Sequence, residues 1–318
     1  MSQYYRILRI LADGHWHTPK DLTQNSADSR AALLEKLKRM ESDGLAFEWL
    51  GEQKLRWLNP SMPLSAQQIR DGLSLEVRGL ISSIEVYNEL ASTSTFMRET
   101  GVTQGRICLA EKQRAGIGRR GRTWHSPLGT NIYMSLGWRF DATPAHLSGL
   151  TLGVGIKLAE TLNAYAVVGL KWPNDLYLHS RKLGGILVET RLVAEGSIEV
   201  IMGIGINTNM RNTTDIDQPW TSLCQHHPSQ ESIDRNKLVS ELLENLLPFL
   251  NTFTETGHDY IVHHWPKFDL AYQQGVTVHL NGKQFLGIGA GIDDKFQFLL
   301  QQDHGVSKFS SADVSLRL

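Results

Sequence analysis

Four arginines and three glycines fall within the nine residues from Arg114 to Arg122, inside the stretch Gln113-Arg114-Ala115-Gly116-Ile117-Gly118-Arg119-Arg120-Gly121-Arg122-Thr123-Trp124. No Asp or Glu offsets them between Lys112 and Phe140. Glycines let backbone N–H groups come close to a ligand, and guanidinium forks hold carboxylate or phosphate oxygens in pairs. The segment is therefore either an anion cradle or a solvated basic loop that touches nucleic acid, and taken alone it leaves both open. Gly116-x-Gly118-x-x-Gly121 also matches the dinucleotide fingerprint, which needs a strand before it and a helix opening directly from it. Arg106 to Ala110 supplies a short apolar run, but Ser126-Pro127-Leu128-Gly129 is turn chemistry that stops a helix, so the dinucleotide reading is set aside.

Two further stretches carry chemistry. In Lys171-Trp172-Pro173-Asn174-Asp175-Leu176-Tyr177-Leu178, Pro173 keeps Trp172 extended and Asn174-Asp175 supply turn geometry with exposed oxygens. Lys182 opens the glycine-marked run Lys182-Leu183-Gly184-Gly185-Ile186-Leu187-Val188-Glu189, as where a ligand or another backbone comes close. A lysine there could let a carboxylate and a phosphate approach each other; equally, Lys171 and Lys182 could be solvated at strand ends. Gly203-Ile204-Gly205-Ile206-Asn207-Thr208 is an apolar strand ending in an amide that could read a base or ribose or simply turn the chain. His226, His227, His263 and His264 adjoin in pairs without ligand-type spacing, so no metal beyond a nucleotide's Mg²⁺ is expected.

The elements that must position these groups are constrained by the whole chain. Its 318 residues allow two or three domains, and 32 Lys and Arg against 33 Asp and Glu give no global attraction to DNA or membrane. Two cysteines, Cys108 and Cys224, make neither a disulfide framework nor a metal spacing, which fits buried thiols in a reducing cytoplasm. The start lacks a signal-peptide core and no run of 18 apolar residues occurs, so a soluble, unexported protein is expected.

Residues 1 to about 58 read as a winged helix-turn-helix. Tyr5, Ile7, Leu8 and Leu11 face one way along a first helix, Thr18-Pro19-Lys20-Asp21 opens a second, and Ser29 caps a third carrying Leu33, Leu34, Leu37 and Met40. Leu45 to Leu50 and Lys54 to Leu58 make a hairpin wing. Arg30, Lys36, Lys38 and Arg39 suit phosphate contacts, but nine basic against eight acidic residues over this segment leave DNA binding and a packing role both open. Asn59-Pro60-Ser61-Met62-Pro63 reads as a linker. The central region mixes strands (Asn131 to Trp138, Ala166 to Leu170, Leu183 to Val188, Ile198 to Met202) with a helix from Leu147 to Ala164 and another from Asp234 to Thr256, bent at Pro248. Asn281-Gly282 between Val276 to Leu280 and Lys283 to Phe285 signals a hairpin in a small all-β unit.

Together, the arginine-glycine loop, the Lys-Trp-Pro-Asn-Asp run with its later Lys182 to Glu189, and the Gly-x-Gly-x-Asn strand resemble, in order, the biotin protein ligases. With the N-terminal helices and C-terminal strands the chain is similar to the bifunctional kind, ligase and biotin operon repressor in one. The resemblance implies an α/β (α+β) catalytic domain of the class II synthetase-like biotin/lipoate ligase type at 63–271. It also implies a winged helix-turn-helix at 1–62 and an SH3-like β-barrel at 272–318. It further implies that biotin and ATP, with Mg²⁺, give biotinyl-5′-adenylate, and that biotin then passes to a lysine of the biotin carboxyl carrier subunit of acetyl-CoA carboxylase. Biotin contacts fall on Ser92, Thr93, Gln113, Gly116, Ile117, Gly118, Arg119 and Lys182, with Lys182 and Arg119 catalytic. ATP and adenylate contacts fall on Arg119, Arg120, Arg122, Trp124, Asn131, Asn207 and Arg317, and Asp175 would hold the metal or orient Lys182. Ser29, Arg30 and Lys36 would meet operator DNA, and adenylate binding would promote a homodimer by strand pairing in the central sheet. Ile117 stands where the family usually has arginine, Ala91 where it has an acidic residue, and Ser94 where it has asparagine. Ser26 and Asp28 stand where the repressor form is apolar. Alternatives are a ligase whose first unit no longer binds DNA, a biotin-responsive regulator without transfer activity, and a lipoate ligase, which the match from Lys171 to Glu189 disfavours.

Overall fold

Three separate sheets organise the described residues. The computed structural model describes residues 3–24, 29–193, 196–213, 215–228 and 231–310, with the backbone alone at Gln3 and over Val314–Arg317. Ser26 and Asp28 lie outside them.

The first part is α1 (Gln3–Leu11), α2 (Pro19–Thr23), α3 (Arg30–Ser42) and a hairpin of β1 (Phe47–Leu50) and β2 (Lys54–Trp57). Thr18 and Asp21 cap α2 reciprocally, each side chain accepting the other's backbone N–H, and Ser29 accepts the N–H of Ala32 to open α3. The apolar faces close over Ile7, Leu8, Leu11, Leu22, Leu33, Leu37, Met40 and Trp57. Leu128, from just beyond the arginine-glycine loop, belongs to the same cluster. Asp43, at the end of α3, accepts from Lys112 at 2.6 Å and from the Tyr4 hydroxyl at 2.5 Å.

The central part runs α4 (Ala66–Asp71), α5 (Leu75–Gly79), β3 (Ser83–Leu90), α6 (Thr93–Thr100), β4 (Arg106–Gln113), β5 (Ile132–Phe140), α7 (Leu150–Leu162), β6 (Gly169–Lys171), β7 (Asp175–Leu178), β8 (Arg181–Leu192), β9 (Ile198–Ile206), α8 (Arg235–Asn251) and α9 (Phe253–His264). Its sheet has the order β3-β4-β5-β9-β8-β7-β6, and only β3 and β4 pair in parallel. Strand alternation sorts the two faces: Ile107 and Leu109 of β4 join the core under α7 and α8, whereas Cys108 turns to Met97 of α6. The last part is β10 (Gly275–Leu280), β11 (Lys283–Ile292), β12 (Phe298–Gln302), β13 (Gly305–Phe309) and β14 (Val314–Arg317). Asn281 (φ 50°) and Gly282 (φ 77°) turn β10 into β11 with two positive φ angles, as the hairpin signal requires. Trp172 docks this sheet on the central one, donating to the Phe296 carbonyl at 3.3 Å and lying against Phe298.

Four expectations change. The helix expected from Leu147 starts at Leu150, because Gly149 (φ 78°) separates it from a short 3₁₀ turn at Pro144–Leu147. The helix expected from Asp234 to Thr256 ends at Asn251, because the chain leaves helical geometry at Thr252, and Pro248 lies inside it. Asp175 begins a strand rather than a turn, and Ser83–Leu90, half-buried at every position, forms an edge strand that was not among the expected strands. Finally, Asn59–Pro63 is no free tether: the Ser61 hydroxyl is buried and accepts from Arg235 and Asn209, and the Met62 carbonyl accepts from Arg235.

Arg235, the first residue of α8, is fully buried against Glu111 of β4 at 2.8 Å and also donates to the Asn131 carbonyl. A buried charge that loses its partner is left unsolvated, at a cost of about 3–5 kcal/mol. Arg235→Ala is therefore expected to lower unfolding stability by about that amount in urea denaturation, whereas loss below about 1 kcal/mol would show that Glu111 is neutralised by other means.

Candidate active site

The arginine-glycine loop joins β4 to β5, and a single side chain ties its two ends. The Gln113 carbonyl oxygen accepts from the Thr93 N–H at 2.8 Å and from the Thr93 hydroxyl at 3.2 Å, and its amide nitrogen donates to Ser126 at 3.0 Å. Ser92 caps α6 by accepting the Thr95 N–H, and Ser135 links Thr93 to Ser94 through hydroxyl bonds of 2.8 and 3.0 Å. The loop is laced to itself by Trp124 N–H to Gly116 carbonyl and Gly118 N–H to Arg122 carbonyl, and to its foundation by Ala115 N–H to Ala91 carbonyl. A side chain at Gly116 would sit 2.5 Å from the Trp124 carbonyl, so this glycine is required for close approach. Arg120 (φ 59°) and Gly121 (φ 69°) make the left-handed tip.

Arg119 reaches across to the hairpin opposite, donating to the Asn174 carbonyl oxygen at 3.0 Å, while the Asn174 amide donates to the Ile186 carbonyl of β8 at 2.9 Å. Burial, then the neighbouring Arg120, pulls the Arg119 guanidinium below its ordinary pKa, and Asp175 opposes this. Lys182 pairs with Asp175 at 2.8 Å, with both side chains mostly buried, and its ammonium lies 5.6 Å from the Trp124 ring. That ring rests on Gly205, where an added methyl would come within 2.5 Å of it. Its indole N–H is buried without a partner among the described residues. Backbone bonds from Lys182 N–H to the Pro219 carbonyl and from Thr221 N–H to the Lys182 carbonyl set the lysine against the strap Pro219 to Thr221.

These groups face one cavity of about 740 Å³. It brings together Ser92, Thr93, Gln113, Ile117, Gly118, Arg119, Arg120, Arg122, Trp124, Asp175 and Lys182. Gly116 stands just behind the wall in contact with Trp124 and Gln113. Asn131 and Asn207 do not line it. The Asn131 side chain is wholly buried and accepts from the N–H groups of Thr208 and Met210, and the Asn207 amide donates to the Thr221 carbonyl. Arg317 pairs with Thr277 through its backbone in the C-terminal sheet, and its side chain lies outside the described atoms. Among described residues, no C-terminal strand lines the cavity. Sequence reasoning gave no role to Lys171, which donates to the Tyr177 hydroxyl at 2.8 Å, nor to the wall Asp217-Gln218-Pro219. Asn174 sat in a motif and could have been found; nothing in the sequence marks the wall.

Away from the cavity, Ser29 caps α3, Lys36 is half-buried, and Arg30 pairs with Glu52 of the hairpin turn at 3.0 Å. No group of three or more His, Cys, Asp or Glu that could hold a metal occurs among the described residues.

A model of the biotin/lipoate A/B protein ligase family matches residues 84–207, which contain the cavity's loop, hairpin and glycine strand. The bifunctional ligase/repressor BirA of Escherichia coli is 33% identical over 98% of this chain and 96% of its own length. The chain belongs to the biotin protein ligase family. The bifunctional ligase/repressor BirA of Bacillus spizizenii is 30% identical over 91% of this ligase and 90% of its own length. Among solved structures, the Aquifex aeolicus biotin protein ligase in complex with biotin and ATP superposes with a TM-score of 0.65 at 27% identity. It covers 74% of this chain and 99% of that one.

Asp175→Asn removes the charge that holds Lys182 while keeping the side chain's shape. A charge-assisted bond is worth about 1.5–3 kcal/mol, so biotin ligation should slow roughly 10- to 100-fold while biotin affinity stays within about threefold. Equal losses in stopped-flow turnover and biotin titration would contradict the orienting role.

Proposed function

We propose that this biotin protein ligase joins biotin to ATP as biotinyl-5′-adenylate and passes the biotin to a lysine of a biotin carboxyl carrier subunit, such as that of acetyl-CoA carboxylase. The observation that carries the reading is the convergence of Arg119 and Lys182 on one cavity, each held by a polar partner, Asn174 and Asp175. In the first step a carboxylate attacks an α-phosphorus whose oxygens are also anionic, so repulsion is the main barrier and fixed cations its remedy. Lys182 meets both anions; Arg119, Arg120 and Arg122 draw charge from the phosphates; Ser92, Thr93 and Gln113 seat the biotin end. Trp124 offers a face to adenine. Asn131 and Asn207 serve the nucleotide indirectly, by shaping the strand ends, and Arg317, whose side chain lies outside the described atoms, is proposed as a further nucleotide contact. In the second step AMP is a good leaving group, so positioning the amine and excluding water suffice. The loop from Gln113 to Trp124 does the excluding.

The cavity's carboxylates are few, Asp175 and Asp217. That donor set fits Mg²⁺ held mainly by phosphate oxygens with one carboxylate, the usual habit of this ion at nucleotides. The metal would neutralise phosphate charge, and Asp175 would divide itself between it and Lys182.

The relatives named ligase/repressor, together with helices and hairpin in winged helix-turn-helix order, support a second role as repressor of biotin genes with the adenylate as corepressor. The three units at 1–62, 63–271 and 272–318 follow that reading, the last as an SH3-like barrel, in a cytoplasmic protein. Homodimerisation fits the outer end of β8: its pairing with β7 stops at Gly185, which leaves the stretch from Leu187 to Leu192 as an open edge. The ligase-only reading is favoured by one observation, the Arg30–Glu52 pair, which neutralises a cation that phosphate contact would use. Glu52→Gln is expected to strengthen operator binding in a gel shift with biotinyl-adenylate; no shift with either protein would leave the ligase role alone.

Incubation with biotin, MgATP and a carrier domain should label one carrier lysine, and absence of label would overturn the proposal. Lys182→Ala should lower adenylate formation by about 2–4 kcal/mol of barrier, roughly 30- to 1,000-fold, with a much smaller change in biotin titration. Arg119→Gly should release adenylate into solution and label bystander lysines; a tight but inactive variant would contradict the retaining role.

A further inference from the structure

The strap Pro219 to Thr221 holds both backbone polar groups of Lys182, so whatever fixes the strap fixes the lysine. Lys182 N–H donates to the Pro219 carbonyl at 3.0 Å, Thr221 N–H donates to the Lys182 carbonyl at 3.0 Å, and Trp220 bridges Lys182 in parallel. The far end of the strap meets the turn between β7 and β8 through two imidazoles. His179 and His226 lie with ring centroids 5.0 Å apart and planes 30° from parallel. His226 Nε2 is 2.7 Å from the Thr221 hydroxyl, which itself donates to the Gln225 carbonyl oxygen at 3.1 Å. A hydroxyl has one proton, so with that proton on Gln225 the Nε2–H of His226 is the donor. His179 (φ 47°) and Ser180 (φ 59°) occupy left-handed backbone, and Ser180 lines the cavity. The stack thus joins the strap to a turn that lies three residues before Lys182.

We propose that His179 and His226 are positioning residues for adenylate formation: their ring stack pins the strap to the β7–β8 turn, holds Lys182 at the cavity wall, and loosens when His226 takes up a proton. This rests on the ligase reading and adds a proton-sensitive element to it. The charged and titratable groups acting on His226 are His179 and Arg181 from the turn, and a cation on His226 would stand against them. Burial, then His179 and Arg181, lowers the pKa of His226 from its ordinary value, so the closed stack prefers the neutral ring. The sign follows: the closed form binds fewer protons than the open one, its full stability is present above the ordinary histidine range, and it is lost as pH falls below that range.

The test compares the intact protein with His226→Gln, which keeps a hydrogen-bond donor for Thr221 but cannot titrate. Biotin-dependent pyrophosphate release by the wild type should fall about three- to tenfold more than that of the variant between about pH 7.5 and about pH 5.5, since substrate titration affects both alike. Near the upper pH His226→Gln, which lacks the stack, should be about three- to tenfold slower than the wild type, and the two rates should converge near the lower pH. His179→Gln should flatten the difference as well, because the stack needs both rings. Parallel pH profiles for all three proteins would overturn the proposal. Hydrogen exchange at the Lys182 and Thr221 amides, which donate or define the two strap bonds, gives an answer that does not depend on turnover. Protection that falls with pH in the wild type and not in His226→Gln supports the clasp, and protection unchanged by pH in both refutes it. A protein that never releases pyrophosphate would count against the ligase reading and would still be judged by this second measurement.

Discussion

The buried pair of Arg235 and Glu111 is the contact on which the remaining geometry depends. Glu111 lies two residues before Gln113, where β4 ends and the ligand loop begins, and Arg235 begins the long helix behind the sheet. The guanidinium also collects the Ser61 hydroxyl and the carbonyls of Met62 and Asn131, while Glu111 accepts the N–H of Leu64. A fully buried ion pair gains little net stability over an apolar replacement, because desolvation consumes most of its attraction. What it supplies is direction. Five donors in a rigid fork can satisfy partners from the linker, β4 and β5 only in one arrangement, and that arrangement sets where the loop leaves its strand.

From that base the site is built by polar side chains that each use both ends. Gln113 joins α6 to the far side of the loop, Asn174 joins Arg119 to β8, and Asp175 takes Lys182 at the head of β7. The cations are thus carried by different elements, two of which meet only when the loop lies across the hairpin. Such preorganisation matters where two anions must be brought together, since charges that had to reorient during the reaction would lose much of their effect.

The loop, the Lys171 to Glu189 hairpin and the glycine strand were legible because their residue types are unusual for the structure they adopt: glycines at close approaches, cations gathered on one open cavity. The hairpin at Asn281-Gly282 was legible because positive φ at two successive residues selects those types. Asn131 and Asn207 were harder, since an amide that binds ligand and an amide that satisfies buried backbone have the same sequence appearance, and only the partners tell them apart. Ser83–Leu90 was missed because its alternation is short: Ile84 and Val86 face the main core, but Asn88 interrupts the pattern before Leu90. The end of the helix expected to reach Thr256 was misplaced for a different reason: nothing in the residue types marks the break, which falls where Thr252 leaves helical geometry.

The stretch from Asn59 to Pro63 looks by composition like a joint at which the first unit could be exchanged or lost. Ser61 and Met62 nevertheless complete the bonding of Arg235, and Asp43 at the end of α3 grips Lys112 beside the loop. The first unit therefore contributes masonry to the second. A descendant that shed the unit at that joint would inherit a buried guanidinium short of acceptors, and any lineage of shorter ligases derived from such a chain must have refilled those positions before or while losing the helices.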